Sequence, residues 1–223
     1  MTTIEALARR PATGYIVPMA TFLVLTGLES YVPTAWYPWY YAAKIAIVLA
    51  CLLMFRAPLA DLRPDPRVLP LAALTGLAVF ALWVGIEKLV PYPHIGSRVG
   101  FNPFSEIQGS AAQYAFVAVR LFGLAAVVPV MEELFWRSFL LRYLTHDDFA
   151  SVPVDGFSWT AFGIVAVLFA SAHPEWLPAV LTAAIYGLLV RRTASIYAAV
   201  VAHATTNAAL GVYVLAAQDW VFW

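Results

Sequence analysis

Three short polar groups interrupt otherwise apolar runs of the chain. They are Glu132, Glu133 and Arg137 in VVPVMEELFWRSFLLRYL (127–144), Phe169 and His173 in FASAH, and His203 and Asn207 in HATTN. Glu133 and Arg137, Phe169 and His173, and His203 and Asn207 are each four residues apart, which places each pair on one face of a helix. Glu132 is rotated about 100° from Glu133, so the two carboxylates point apart. Arg137 can fix Glu133, which leaves Glu132 for a cavity. A carboxylate and an imidazole can take a proton from water as a general base. An imidazole and a side-chain amide can donate to a developing oxyanion. Glu132, His173 and His203 are equally the parts of a zinc site with one position open for water. The residue types therefore point to hydrolysis, with or without a metal.

Each group also has a plainer reading. The two glutamates would be ordinary at a helix end emerging into water, but Phe135, Trp136, Phe139, Leu140 and Leu141 keep the helix apolar beyond them. Pro129, one turn earlier, can bend the helix and admit water or a partner. His173 alone would be unremarkable at a membrane interface, with Phe169 one turn back to limit its rotamers. His203 and Asn207 lie deep in AVVAHATTNAALGV and must find partners inside the protein. Thr205 and Thr206 beside them are expected to bond back to their own helix carbonyls. Lys44 and Arg120 also fall within apolar runs. Lys44 is placed to snorkel to an interface, and Arg120 is deeper, where it could pair with an acid or contact a substrate carboxylate.

The elements that must position these groups are membrane helices. Of 223 residues, 62% are hydrophobic and 12% charged, with a mean hydropathy of +0.78. Soluble domains are roughly 45–50% apolar. The formal net charge of zero gives no footing for nucleic-acid binding, and a single cysteine, Cys51, excludes an intrachain disulfide and a Cys-based zinc site. The pattern predicts an all-α, polytopic transmembrane helical bundle with spans at about 14–30, 36–55, 68–87, 111–131 (continuing toward 145), 157–173, 176–190 and 194–216. The N-terminus reads as a retained first span rather than a signal peptide. No repeat and no soluble domain stand out, so residues 1–223 read as one integral membrane domain.

With the N-terminus in the cytoplasm, Arg9, Arg10, Arg56, Arg63, Arg67, Arg137, Arg142, Arg191 and Arg192 fall at cytoplasmic ends, and Lys88 and Arg98 outside. That distribution satisfies the positive-inside rule. The aromatic run YVPTAWYPWYY (31–41) and the terminal DWVFW are expected to be interfacial anchors, or else walls of a lipid-facing groove. Small residues in TAAIYG, ASIYAA and AHATTNAALG place the last two spans at the centre of the bundle. One conflict stands in this arrangement. His173 ends its span near one face while Glu132 lies past the middle of its own, yet the two must converge.

EELFWR, FASAH and HATTN match, in order and spacing, the Glu-Glu-x-x-x-Arg, Phe-x-x-x-His and His-x-x-x-Asn motifs of the CPBP family. These are intramembrane proteases that include type II CAAX prenyl endopeptidases and bacteriocin-immunity relatives. The resemblance covers roughly 110–215, and GLAVFALWVGIEKL with FNPF is similar to the small CAAX-protease-related proteins of bacterial exosortase systems. It implies an intramembrane endopeptidase of the bacterial inner membrane, acting on a membrane-associated peptide or protein. Glu132 and His173 would activate the water, His203 and Asn207 would stabilise the oxyanion, and Glu133 with Arg137 would shape the site. The family has been described both as metalloproteases and as metal-independent. No His-Glu-x-x-His motif is present, and a site without a tightly bound metal is favoured over zinc held by Glu132, His173 and His203. Better-known members have eight spans against the seven read here. Two other functions fit the same residues: a non-catalytic membrane partner or immunity factor, and a proton- or metal-coupled transporter. The absence of an internal repeat speaks against the last.

Overall fold

The computed structural model of the protein describes residues 11–96 and 100–223. Arg9, Arg10 and Arg98 of the charge count lie outside the described residues. Within them the chain is helical with no strand: α1 (Thr13–Leu28), α2 (Tyr37–Met54), α3 (Leu69–Leu89), a single turn α4 (Pro103–Glu106), α5 (Ser110–Tyr143), α6 (Trp159–Ser171), α7 (Trp176–Thr193) and α8 (Ile196–Ala217). The seven expected segments each coincide with a helix to within a few residues. Four stretches are long and apolar enough to cross a bilayer: Thr34–Met54, Pro66–Leu89, Ser110–Tyr143 and Ile196–Ala217. By that measure four of the seven expected spans qualify on length and composition. α1 has 16 residues and α6 has 13, and at about 1.5 Å per residue both fall short of a ~30 Å hydrocarbon core.

Local chemistry sets the ends of the later helices. Ser158 caps α6 by accepting from the Ala161 amide at 3.1 Å, and Ser195 caps α8 by accepting from the Ala198 amide at 3.2 Å. Ala194, at φ +50°, closes α7 in the left-handed conformation. This makes the turn between Arg192 and α8 tight.

Small residues let the central helices touch. A Cβ on Gly76 of α3 would lie 2.4 Å from the Ala202 carbonyl oxygen and 2.7 Å from Thr205 Cβ of α8. The two helices therefore meet backbone to backbone, the contact that takes over in lipid where apolar burial cannot drive association. Thr205 bonds back to Val201 O at 2.8 Å and Thr206 to Ala202 O at 3.1 Å, as their spacing implied. Thr206 reaches further, to Gly76 O at 2.7 Å. Large apolar side chains cover the outer faces, among them Val24, Leu53, Leu74, Val167 and Val212. Cys51 is free, with its sulfur 4.0 Å from the Thr21 hydroxyl, so it faces a neighbouring helix.

α5 is not a plain α-helix. It takes π geometry at Gly123–Val127 and again at Leu134–Leu140, on either side of the two glutamates. In the first π turn the Val128 amide donates to Gly123 O, so the next carbonyl, Leu124 O, would take its bond from residue 129. That residue is proline and has no N–H. Asn207 supplies the missing donor, its Nδ2 lying 2.8 Å from Leu124 O.

Two expectations about polar and aromatic side chains are corrected. Lys44 does not snorkel outward: it is buried, pairs with Glu29, and lies 4.9 Å and 5.1 Å from the Phe22 and Tyr41 ring centroids. The terminal DWVFW is not a free anchor, since Phe222 and Trp223 are buried. Asp219, held by Lys88 and by the Tyr213 hydroxyl at 3.3 Å, turns that segment back onto the bundle. The run at 31–41 divides: Tyr31, Trp36 and Trp39 are exposed as anchors would be, whereas Tyr41 is buried.

Candidate active site

Glu133 is fully buried and shares one oxygen between two partners. Its Oε1 accepts from Arg137 Nη1 at 3.0 Å and from His203 Nδ1 at 2.9 Å. The first bond is the expected one-turn pair, and the second ties α5 to α8 across seventy positions of sequence. Arg137 is equally buried, with its guanidinium carbon 4.7 Å from the Phe169 ring and 5.6 Å from that of Tyr186. Glu132 points elsewhere. It lines a cavity of about 640 Å³, and its Oε2 has no hydrogen-bond partner among the described residues.

His173 follows the end of α6, and its Nδ1 lies 2.8 Å from Phe169 O. A carbonyl can only accept, so Nδ1 carries the proton and Nε2 is the acceptor nitrogen of the neutral ring. The imidazole stacks on Phe169 at 4.6 Å between centroids and meets Trp83 edge-on at 5.8 Å. Phe169 thus links the arginine of one motif to the histidine of another. Residues 90–96 brace this turn: the Ile95 amide donates to Pro174 O at 3.0 Å and the Trp176 indole to Pro93 O at 2.7 Å. Tyr92 in that segment donates to Glu87, and burial followed by this bond pushes its hydroxyl pKa up.

Glu132, His173, His203 and Asn207 all line the one cavity. The conflict of depths resolves through the length of α6. Thirteen residues rise only about 20 Å, so a helix starting at one interface ends well inside a ~30 Å core. Irregular backbone at that depth is tolerated where it is buried in protein or lines a cavity, and His173 occupies such a turn. For His203, the Glu133 carboxylate selects the Nδ1–H tautomer. Nε2 then accepts in the neutral ring and donates in the imidazolium. Asn207 spends one amide hydrogen on Leu124 O and retains the second.

Sequence reasoning passed over Tyr186. It is fully buried, its hydroxyl is 2.7 Å from Thr206 Oγ1, and its ring centroid is 5.5 Å from that of His203. The signal was present in TAAIYG, where a polar-tipped aromatic sits in a run of small residues. Arg120, read as a partner for an acid or for a substrate carboxylate, finds no acid among the described residues. It donates instead to the Tyr37 hydroxyl.

No group of three His, Cys, Asp or Glu side chains among the described residues is placed to hold a metal ion. Glu132, His173 and His203 share the cavity without converging as a ligand set, so the donors expected for zinc do not fit one in this arrangement.

Residues 114–209 match the family model described as type II CAAX prenyl endopeptidase Rce1-like. That stretch carries all three motifs. This core is similar to the Rce1-like family. The Rce1-like region begins in α5 and ends in α8, so it contains every motif residue of the site and omits α1 to α3, which complete the cavity wall. With four helices long and apolar enough to cross a bilayer, the protein is an integral membrane protein whose core resembles a protease family. No curated protein and no solved structure matches the chain.

Proposed function

We propose that the protein is an intramembrane endopeptidase that hydrolyses a peptide bond of a membrane-associated peptide or protein. The observation that carries this reading is the single cavity lined by Glu132, His173, His203 and Asn207 within an apolar bundle. Glu132, whose outer oxygen is buried and unpartnered, and His173, through Nε2, take a proton from water as its oxygen bonds to the scissile carbonyl carbon. The carbonyl oxygen becomes an oxyanion. Asn207 donates its second amide hydrogen to it, and His203, its Nδ1–H held by Glu133, donates from Nε2 when both ring nitrogens carry a proton. Collapse of the tetrahedral intermediate breaks the C–N bond, and the proton held by Glu132 or His173 passes to the leaving amine. Glu133 and Arg137 hold His203 and Phe169 in place and do not touch the substrate. No step runs through a metal.

The seven long helices are placed in the membrane, with α6 ending part-way through it at His173 and the N-terminus on the cytoplasmic side of a bacterial inner membrane. The likeness of residues 114–209 to prenyl endopeptidases supports a prenylated C-terminus as the first substrate to test. A quenched fluorescent peptide with a prenylated cysteine, offered to the detergent-purified protein, should be cleaved. Glu132→Ala and His173→Ala should each lower kcat/KM by about 10²–10⁴-fold, the usual worth of general acid–base groups, with thermal unfolding unchanged. Full activity in either variant removes that residue from the mechanism.

A further inference from the structure

Two strongly basic side chains line the cavity, Lys44 and Arg120, and the fold treats them differently. Lys44 is paired with Glu29. Arg120 is 8% exposed, and no carboxylate among the described residues lies within ion-pair distance of it. Its Nη1 donates to the Tyr37 hydroxyl, and the opposite edge, with Nε and Nη2, makes no hydrogen bond among the described residues. The guanidinium carbon lies 4.5 Å from the Tyr41 ring centroid and 5.8 Å from that of Trp223. Trp223 Nε1 is itself buried and without a partner.

These orphaned atoms are all donors. What satisfies them must be an acceptor, and a buried guanidinium calls for one that carries negative charge. The Nε/Nη2 edge is a planar fork that matches a group with two oxygens, above all a carboxylate.

The position of Arg120 relative to Glu132 narrows the source. Both are on α5, twelve residues apart, a rise of about 18 Å. In a plain α-helix they would be rotated by about 120°. The π turn at Gly123–Val127 takes in an extra residue and removes roughly 100° of that, bringing both toward the same side. An extended peptide covers about 18 Å in some five residues.

We propose that Arg120, with the Trp223 indole, forms a carboxylate subsite for the C-terminus of the substrate, about five residues beyond the bond that Glu132 addresses. This deepens the proteolytic reading and rests on it for the identity of the ligand as a peptide. Arg120 is then a specificity residue: the site measures from a free chain end and rejects interior segments, which carry no charge there.

The test is binding rather than cleavage. The full chain carrying Glu132→Gln is placed in phosphatidylcholine nanodiscs and titrated with a dye-labelled apolar heptapeptide, once as the free acid and once as the C-terminal amide. The acid should bind about tenfold tighter or more, as for a charge-assisted fork pair. Arg120→Gln should erase the difference and Arg120→Lys restore part of it. Trp223→Phe, which keeps the ring and loses the N–H, should shrink it several-fold. Equal affinity of acid and amide, no measurable binding of the acid, or a gap that persists in Arg120→Gln each overturns the subsite. A gap that vanishes when phosphatidylglycerol replaces phosphatidylcholine assigns the position to a lipid phosphate and overturns it too. Absence of hydrolysis by the native chain, with the gap intact, counts against the endopeptidase reading alone.

Discussion

Glu133 holds two cationic or potentially cationic groups with a single oxygen, and both it and Arg137 are out of water. Removing one member of a buried pair leaves the other uncompensated, which costs about 3–5 kcal/mol. Glu133→Gln and Arg137→Gln should therefore each lower the thermal unfolding midpoint strongly in detergent. The double variant should lose much less than their sum, with a coupling of about 1–3 kcal/mol. Strict additivity would show that the two groups do not act as a pair. The Glu133–Arg137 contact was legible in the sequence because one helical turn separates them. The His203 contact was not, since nothing local in HATTN specifies which carboxylate its Nδ1 will meet. The same reading assigned His203 to oxyanion stabilisation but could not show that its tautomer is set by the motif's second glutamate.

At the scale of elements, hydropathy found the seven long helices because apolar runs broken by Pro, Gly and charge mark them directly, and it passed over the single turn α4. It missed the two π turns of α5, which leave no periodic trace in an all-apolar segment. Pro129 was the available clue, and its consequence is specific. The Leu124 carbonyl has no helical donor, and Asn207 takes it. Pro129→Ala returns an N–H and lets the turn relax toward α geometry, which rotates Glu132 by up to about 100° relative to Arg120. The variant should be as stable as the native chain or more so, because an interior proline is replaced by the best helix former. It should nonetheless lose most of its hydrolytic activity, read as kcat/KM on the prenylated reporter. Native activity at native or higher stability would mean that the π turn does not aim the glutamate. The boundaries drawn for α6 were right to within two residues, so the conflict over His173 lay in assuming that every helix crosses the whole membrane.

Across the whole molecule, the site depends on a contact that lies outside the family match. Gly76 belongs to α3, yet it sets how closely α8 approaches and so where His203 and Asn207 stand. A methyl group at position 76 would meet the Ala202 carbonyl at 2.4 Å and Thr205 Cβ at 2.7 Å. Backbone cannot swing aside as a side chain can, so the helices must part. Parting them also stretches the relay from Gly76 O through Thr206 Oγ1 to the Tyr186 hydroxyl, whose ring packs beside His203. Gly76→Ala should thus destabilise by about 1–3 kcal/mol, the usual cost of overpacking a tight interface. It should also reduce hydrolysis beyond what the loss of folded protein explains. Gly85, on the same helix, has nothing within 4 Å of its would-be Cβ. There the same substitution should be neutral or stabilise by up to about 1 kcal/mol, since alanine favours the helix. Thermal midpoints and kcat for the two variants side by side separate close approach from propensity. If Gly76→Ala behaves like Gly85→Ala, the α3–α8 contact is not what sets the position of His203.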